Sequence, residues 1–401
     1  MITPEKIEEW IKEAEQRPAS SPLIIQFIAN RLRELTSRNE ELLAENIALL
    51  TGKRVEEFQQ RITHLEYQLG LLKRQLQGEH IAADLSALPV APVQVTLHPP
   101  SVLLYNPLGQ VFRCELPSAL PASAPWLSLS SPLSPDLEPP RLLAVDASEE
   151  LLLVFTSGRA VTAPLASLPV TALDQPLDWA NASTPDEPRA TETLACILPI
   201  TRLALADAFL QASRRGFVKK IHTALAPSIL ANHFIGTGIK QPADRTFAVC
   251  LSKKDDRLAV VSAEGYLQTL EVRSLPTAIE EVVRLSITDH LVAAFIPDPK
   301  AALLFATQTG KLIHRTADSL ELAASFKTKG QALLSPGRRE QGVRLVAAAP
   351  AYETDWAVAL HLDGQVTLHA VKELFGSGVL PTRSALVDVT ILKNIYTDER
   401  R

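Results

Sequence analysis

The pattern of apolar and polar positions changes character near residue 80. Ahead of that point the apolar residues fall at helical spacing. Thr3-Pro4-Glu5 supplies a capping residue followed by proline at a first helical position, and PASSP at 18–22 interrupts the pattern, so a short helix is expected over 1–22. Over 23–80 the spacing alternates between four and three: Ile28, Leu32, Leu35, Asn39, Leu42, Asn46 and Leu49, then, after Thr51-Gly52, Val55, Phe58, Ile62, Leu65, Leu69, Leu72 and Leu76. A period of about 3.5 residues is that of a coiled-coil seam. Asn39 and Asn46 occupy seam positions, where paired asparagines favour a parallel two-stranded coil. The expectation is a homodimer whose contact residues are Leu32, Leu35, Asn39, Leu42, Asn46, Leu49, Ile62, Leu65, Leu69 and Leu72.

Beyond a linker at 81–92 the helical period disappears. Residues 81–200 hold 18 of the 29 prolines, and a proline inside a helix costs about 3 kcal/mol, so long helices end here. A different pattern then recurs six times: a short apolar run, one or two polar residues, a glycine, any residue, and an apolar residue. The glycines are Gly109, Gly158, Gly216, Gly265, Gly310 and Gly364, and the apolar partners two positions on are Val111, Ala160, Val218, Leu267, Leu312 and Val366. Polar-Gly between apolar runs marks a hairpin, because glycine accepts the positive φ of a tight turn. The intervals of 49, 58, 49, 45 and 54 residues suit one four-stranded blade per repeat. The fold class expected is mainly β, a six-bladed pinwheel or propeller over 93–395 behind an α-helical coiled coil. Closure needs a strand shared between first and last blades, for which 93–97 (VQVTL) and 385–392 (ALVDVTIL) are the candidates. The Pro/Ser-rich stretch 117–140 is expected to be a loop.

Composition and charge narrow the function. The 401 residues carry 40 Lys+Arg and 45 Asp+Glu, so the chain is not polycationic as a whole. Charge is nevertheless segregated: residues 81–210 hold 5 basic and 13 acidic residues, residues 211–401 hold 24 and 19. Three scattered cysteines exclude a disulfide framework and a paired-cysteine zinc site. With no apolar run near membrane-span length and a charged start, a cytoplasmic protein is expected. No Gly-Lys-Ser/Thr phosphate loop, His-Glu-x-x-His or Gly-x-Ser-x-Gly occurs. His222 and His233 near Cys250 are one ligand short of a zinc site. No enzymatic activity, cofactor or metal is expected.

The third and fourth repeats carry Gly216, Val218, Lys219, Lys220 and Leu225, then Gly236, Gly238 and Ile239, then Asp255 and Asp256; the fifth retains Thr307, Gly310 and Lys311. In order and spacing these resemble the C-terminal β-pinwheel of the DNA gyrase A protein and its topoisomerase IV counterpart. The resemblance implies a six-bladed disc that binds double-stranded DNA without strong sequence preference through a basic rim, and nucleoid association. It implies no cleavage: the helical segment is too short for a breakage–reunion domain, and Tyr67 carries no nucleophile role. The family's Gln-Arg-Arg-Gly-Gly-Lys-Gly wrapping motif is missing; GRREQG at 337–342 is a distant echo. Candidate DNA contacts are Arg214, Arg215, Lys219, Lys220, Lys253, Lys254, Lys311, Arg315, Arg338 and Arg339. The 21 aromatic residues do not interleave these clusters in sequence, which argues against a single-strand stacking platform. The competing expectation is a coiled-coil-dimerised propeller that docks a protein partner without DNA.

Overall fold

The computed structural model describes residues 100–116, 125–146, 149–189, 192–239, 241 and 244–393. The expected helix over 1–22, the coiled coil with all ten of its dimer contacts, the linker and the strand at 93–97 lie outside the described residues.

Six antiparallel sheets follow one another along the chain. The first repeat forms β1 (Ser101–Tyr105), β2 (Val111–Glu115), β3 (Leu127–Ser128) and β4 (Arg141–Val145). The second forms β5 (Glu150–Phe155), β6 (Ala160–Pro164) and β7 (Leu194–Pro199). The third forms β8 (Ala208–Ser213), β9 (Phe217–His222), helix α1 (Ala226–Asn232) and β10 (Thr246–Ser252). The fourth forms β11 (Arg257–Ser262), β12 (Tyr266–Glu271), β13 (Glu280–Glu281) and β14 (Leu291–Phe295). The fifth forms β15 (Ala302–Thr307), β16 (Leu312–Thr316), β17 (Gln331–Ala332), α2 (Pro336–Glu340) and β18 (Leu345–Ala351). The sixth forms β19 (Trp356–His361), β20 (Gln365–Ala370), α3 (Val371–Ser377) and β21 (Leu386–Leu392).

In every blade the first strand is central, hydrogen-bonded to the second strand and to the last strand of its repeat. Its residues alternate between two neighbouring cores, so both of its faces are buried. Leu103 joins Leu151, Leu153 and Phe155 between blades one and two, while Val102 and Leu104, on the other face, join Val358, Leu360 and Val366 between blades six and one. This is why the first strands read as unbroken apolar runs rather than alternating ones. Six such cores, one at each junction, close the ring. Burying one Leu or Val contributes about 1.5–3 kcal/mol.

The fourth strand of each blade comes from the next repeat. β13 pairs with β9, β17 with β12, and single bridges do the same work elsewhere: Ser183 on Val111, Phe234 on Arg159, Val379 on Lys311. The repeat glycines receive these crossing segments. Gly216 has φ +87°, and a Cβ there would lie 2.6 Å from the Val283 carbonyl oxygen. The turn and the close approach both demand glycine.

The stretch 385–392 is not the closing strand. Residues 386–392 form the last strand of blade six, against β19. Among the described residues the ring is closed by β3, whose Leu127 and Ser128 pair with Val366 and Gln365 of β20. Thus 117–140 is not loop throughout. Leu127 and Leu129 enter the core, and the prolines Pro125 and Pro132 flank the pairing rather than interrupt it.

Candidate nucleic-acid interface

The register gives each blade two ends: one carrying the glycine hairpins, the other the turns into the next blade. Eight of the ten candidate cations divide between them; Lys219 and Lys220 lie within β9. Arg214 and Arg215 sit on the blade-three hairpin, and Lys311 immediately precedes β16 at the same end. Arg338 and Arg339 in α2 lie there too, because Arg339 covers Tyr266 beside the Gly265 hairpin, its guanidinium 4.7 Å from the ring centroid. Lys253 and Lys254 occupy the turn between β10 and β11 at the opposite end, and Arg315, opposite Leu303, lies toward that end as well.

Besides Arg339 on its ring, four of the ten have head groups engaged within the fold. Arg215 donates to the carbonyl oxygens of Ser286 (2.9 Å), Ile287 (3.1 Å) and Asp289. Lys220 Nζ donates to the carbonyls of Val272 (2.9 Å) and Arg273 (3.1 Å). Lys219 Nζ donates to the Gly236 carbonyl, and burial holds its pKa below the usual lysine value. Arg214 pairs with Glu138 at 3.3 Å, and Arg245 holds the other Glu138 oxygen at 2.7 Å. These four therefore act first as clamps for the crossing segments. Their field is felt by His290, whose pKa is lowered to about 4 by burial and by Arg214 and Arg215. Lys253, Lys254, Lys311 and Arg315 are exposed, and Arg338 and Arg339 half-buried.

A basic surface forms along a crossing segment that carries two of the expected cations, Arg338 and Arg339, with others the sequence reading did not name. The crossing segment 326–344 (FKTKGQALLSPGRREQGVR) carries Lys327, Lys329, Arg338, Arg339 and Arg344 against one acid, Glu340. It runs along the outer edge of blade four: Lys327 N–H donates to Val282 O (2.9 Å), Arg284 N–H to Thr328 O (3.0 Å), and Gln331 and Ala332 pair with β12. Arg284, Lys327 and Lys329 are exposed. Folding also brings an aromatic ring into this cluster, since Lys329 Nζ lies 5.7 Å from the Tyr266 centroid on which Arg339 stacks. Glu264, a carboxylate near Arg344 and Lys329, is occupied. Against the upward push of burial, hydrogen bonds from Ser286 and Thr288, with Arg344 and Lys329 nearby, hold its pKa below the usual value.

No protein-family model matches the sequence, and no curated protein matches it at a significant level. Solved structures do. The C-terminal domain of DNA gyrase A superposes with a TM-score of 0.54 at 13% identity, covering 73% of this chain and 100% of that one. The chain carries a gyrase-A-type β-pinwheel. Two further structures are similar to it: the C-terminal domain of DNA topoisomerase IV (TM-score 0.46, 16% identity, 74% and 94% coverage) and the E. coli ParC C-terminal domain (0.42, 13%, 62% and 100%). Identity at this level establishes the pinwheel fold and leaves its activity to the residues themselves.

Burial pushes the thiols of Cys114 and Cys250 up to about 12 and that of Cys196 to about 11, so none is a thiolate at neutral pH. Among the described residues no three His, Cys, Asp or Glu side chains gather as a metal site, and no helix is long and apolar enough to cross a membrane.

Proposed function

We propose that the pinwheel binds double-stranded DNA without sequence preference through the outer edge of blades four and five. The observation that carries this reading is the basic crossing segment, 326–344, laid along blade four with Arg284 beside it. Lys311 and Arg315 extend the positive edge onto blade five. Cations on an extended edge neutralise phosphates and position a duplex without reading bases. The described helices have five or seven residues, too short to enter a major groove as reading elements. Dimerisation through the 23–80 coiled coil presents two such edges and raises affinity by avidity. The role is non-catalytic: bridging or bending DNA, or holding a partner on it.

The test is fluorescence anisotropy of a labelled duplex of about 40 base pairs across a salt series. Four or five phosphate contacts predict a log–log slope of about −4. Absence of binding at low salt, where the electrostatic attraction is greatest, contradicts the proposal and leaves the protein-scaffold reading.

A further inference from the structure

The second strand of each blade lies outermost among the blade's own strands, and an uncovered outer strand is a template for pairing. Most are covered along their lower halves, the halves away from the glycine hairpins. In blade one Thr171 N–H donates to Arg113 O (2.8 Å), in blade three Lys220 N–H donates to Pro276 O (2.7 Å), and in blade four Ala323 N–H donates to Thr269 O (2.9 Å). In blade two, α1 packs on β6.

Blade five differs. The upper end of β16 is covered, with Leu312 N–H donating to Gly378 O at 3.0 Å. Below it, the register sets His314 opposite Leu304 and Thr316 opposite Ala302. Because the Leu312 amide points away from β15, the amides of His314 and Thr316, two and four residues on, point the same way. Among the described residues neither amide has an acceptor. His314, Arg315 and Thr316 are all exposed, a run found in none of the other second strands. Helix α3 packs on β20 and meets β16 at a ring contact, Phe375 on His314 with centroids 5.6 Å apart.

A cavity of about 900 Å³ opens beside this edge, lined by His314, Thr316 and Phe375 together with residues of the turns entering blades five and six. Its lining carries four carboxylates, Asp298, Asp318, Glu353 and Asp355, against Lys300 and Lys393. Asp298 is held by Tyr352 Oη (2.6 Å) and the Lys300 amide (3.0 Å), whereas Asp318 and Glu353 stand exposed at the rim.

We propose that the lower edge of β16 captures an extended peptide of a protein partner as an added strand, with a basic side chain of that peptide seated against Asp318 and Glu353. Amides repeating every second residue along an open edge match the backbone of another extended chain. Asp318 and Glu353, the exposed carboxylates of the cavity, select lysine or arginine among the alternate side chains that face them. The surface uses none of the blade-four cations but shares Arg315 of β16 with the blade-five end of the DNA edge.

The test uses the full chain and a fluorescein-labelled hexapeptide, Thr-Val-Lys-Val-Arg-Val, read by anisotropy. Binding at micromolar peptide is expected. His314→Pro, which removes an outward amide while leaving the inward bonds of Ile313 and Arg315, should weaken it about tenfold, the loss of one hydrogen bond shielded from water. His314→Ala should keep affinity within about threefold. The same peptide N-methylated at alternate amides tests the bond without altering the protein, and should fail to bind. Charge reversal at Asp318 and Glu353 to lysine should favour a Glu-containing version of the peptide over the Lys/Arg one. Equal binding of the N-methylated peptide, or no binding at millimolar peptide, overturns the proposal. Association between dimers that His314→Pro abolishes overturns it in favour of a second copy of this chain.

Discussion

The outer edges of blades one and four are built alike and charged oppositely. Each receives a crossing segment from the next repeat, and each segment bonds to its second strand at both ends: Thr171 and Ser183 on β2, Ala323 and Gln331 on β12. On blade one the segment brings Asp178, Asp186 and Glu187. Asp186 is bound by Arg159, which also pairs with the buried Glu192 and lies 3.9 Å over the Phe155 ring. On blade four it brings Lys327, Lys329, Arg338, Arg339 and Arg344, with the first two exposed. The backbone path is fixed by strand pairing and by the glycine hairpin, while side chains on its outer face are free to vary. On blade one Asp186 is taken up by Arg159 of blade two while Asp178 and Glu187 face outward as acids; on blade four Lys327 and Lys329 face outward as cations. In a closed ring of equivalent blades, function is therefore expected where charge is not consumed by structure.

Four outcomes would break or sharpen that contrast. The largest is at the salt bridges made by Arg159 of the blade-two hairpin, which hold blade one's crossing segment. Arg159→Ala leaves Glu192 buried without its cation and should cost about 3–5 kcal/mol by denaturant titration, whereas Lys327→Ala should stay within about 0.5 kcal/mol of the parent. Comparable losses at the two sites would erase the distinction. Gly216→Ala tests whether crossing segments need the hairpin glycine: a strained φ and the Val283 carbonyl predict a loss of about 2 kcal/mol, seen as a lower Tm. Lys327→Ala with Lys329→Ala should weaken duplex binding at low salt by roughly tenfold without lowering Tm, while Asp178→Lys with Glu187→Lys should strengthen it by a few-fold. The smallest concerns pH. The pKa of His290 is about 4 in the fold and near 6.5 unfolded, so the unfolded chain binds the proton first as pH falls. The stability from keeping it neutral is complete above pH ~6.5 and is lost progressively toward pH ~4. His290→Asn should flatten the Tm-against-pH curve across that window, and an unchanged curve would assign the acid sensitivity elsewhere.

How much of this was legible in the sequence depends on how local the cause is. The six hairpins were readable because a glycine at positive φ and the apolar residue two positions on are set by neighbours in sequence. The first strands were readable because burial on two faces leaves an unbroken apolar run. The exchanged fourth strands were not, since Ser183, Phe234 and Val379 each contribute a single bridge, too short for any periodicity. Leu127–Ser128 was hidden among prolines whose positions outside the pairing only the fold reveals. The candidate cations fared by the same rule. Arg215 and Lys220 looked free, but their acceptors lie 71 and 52 residues away in sequence. Lys327 and Lys329 stood away from any hairpin, and the alternation Lys-Thr-Lys before Gly330 was the signal that marked them.

The proposed DNA edge is the charge of blade four. The most direct measurement is the salt dependence of duplex binding for the parent, for Lys327→Ala with Lys329→Ala, and for Lys253→Ala with Lys254→Ala at the opposite end of the blades. Loss of about one unit of log–log slope per blade-four lysine, with the Lys253/Lys254 variant unchanged, is expected. Equal slopes for the parent and the blade-four variant would contradict it.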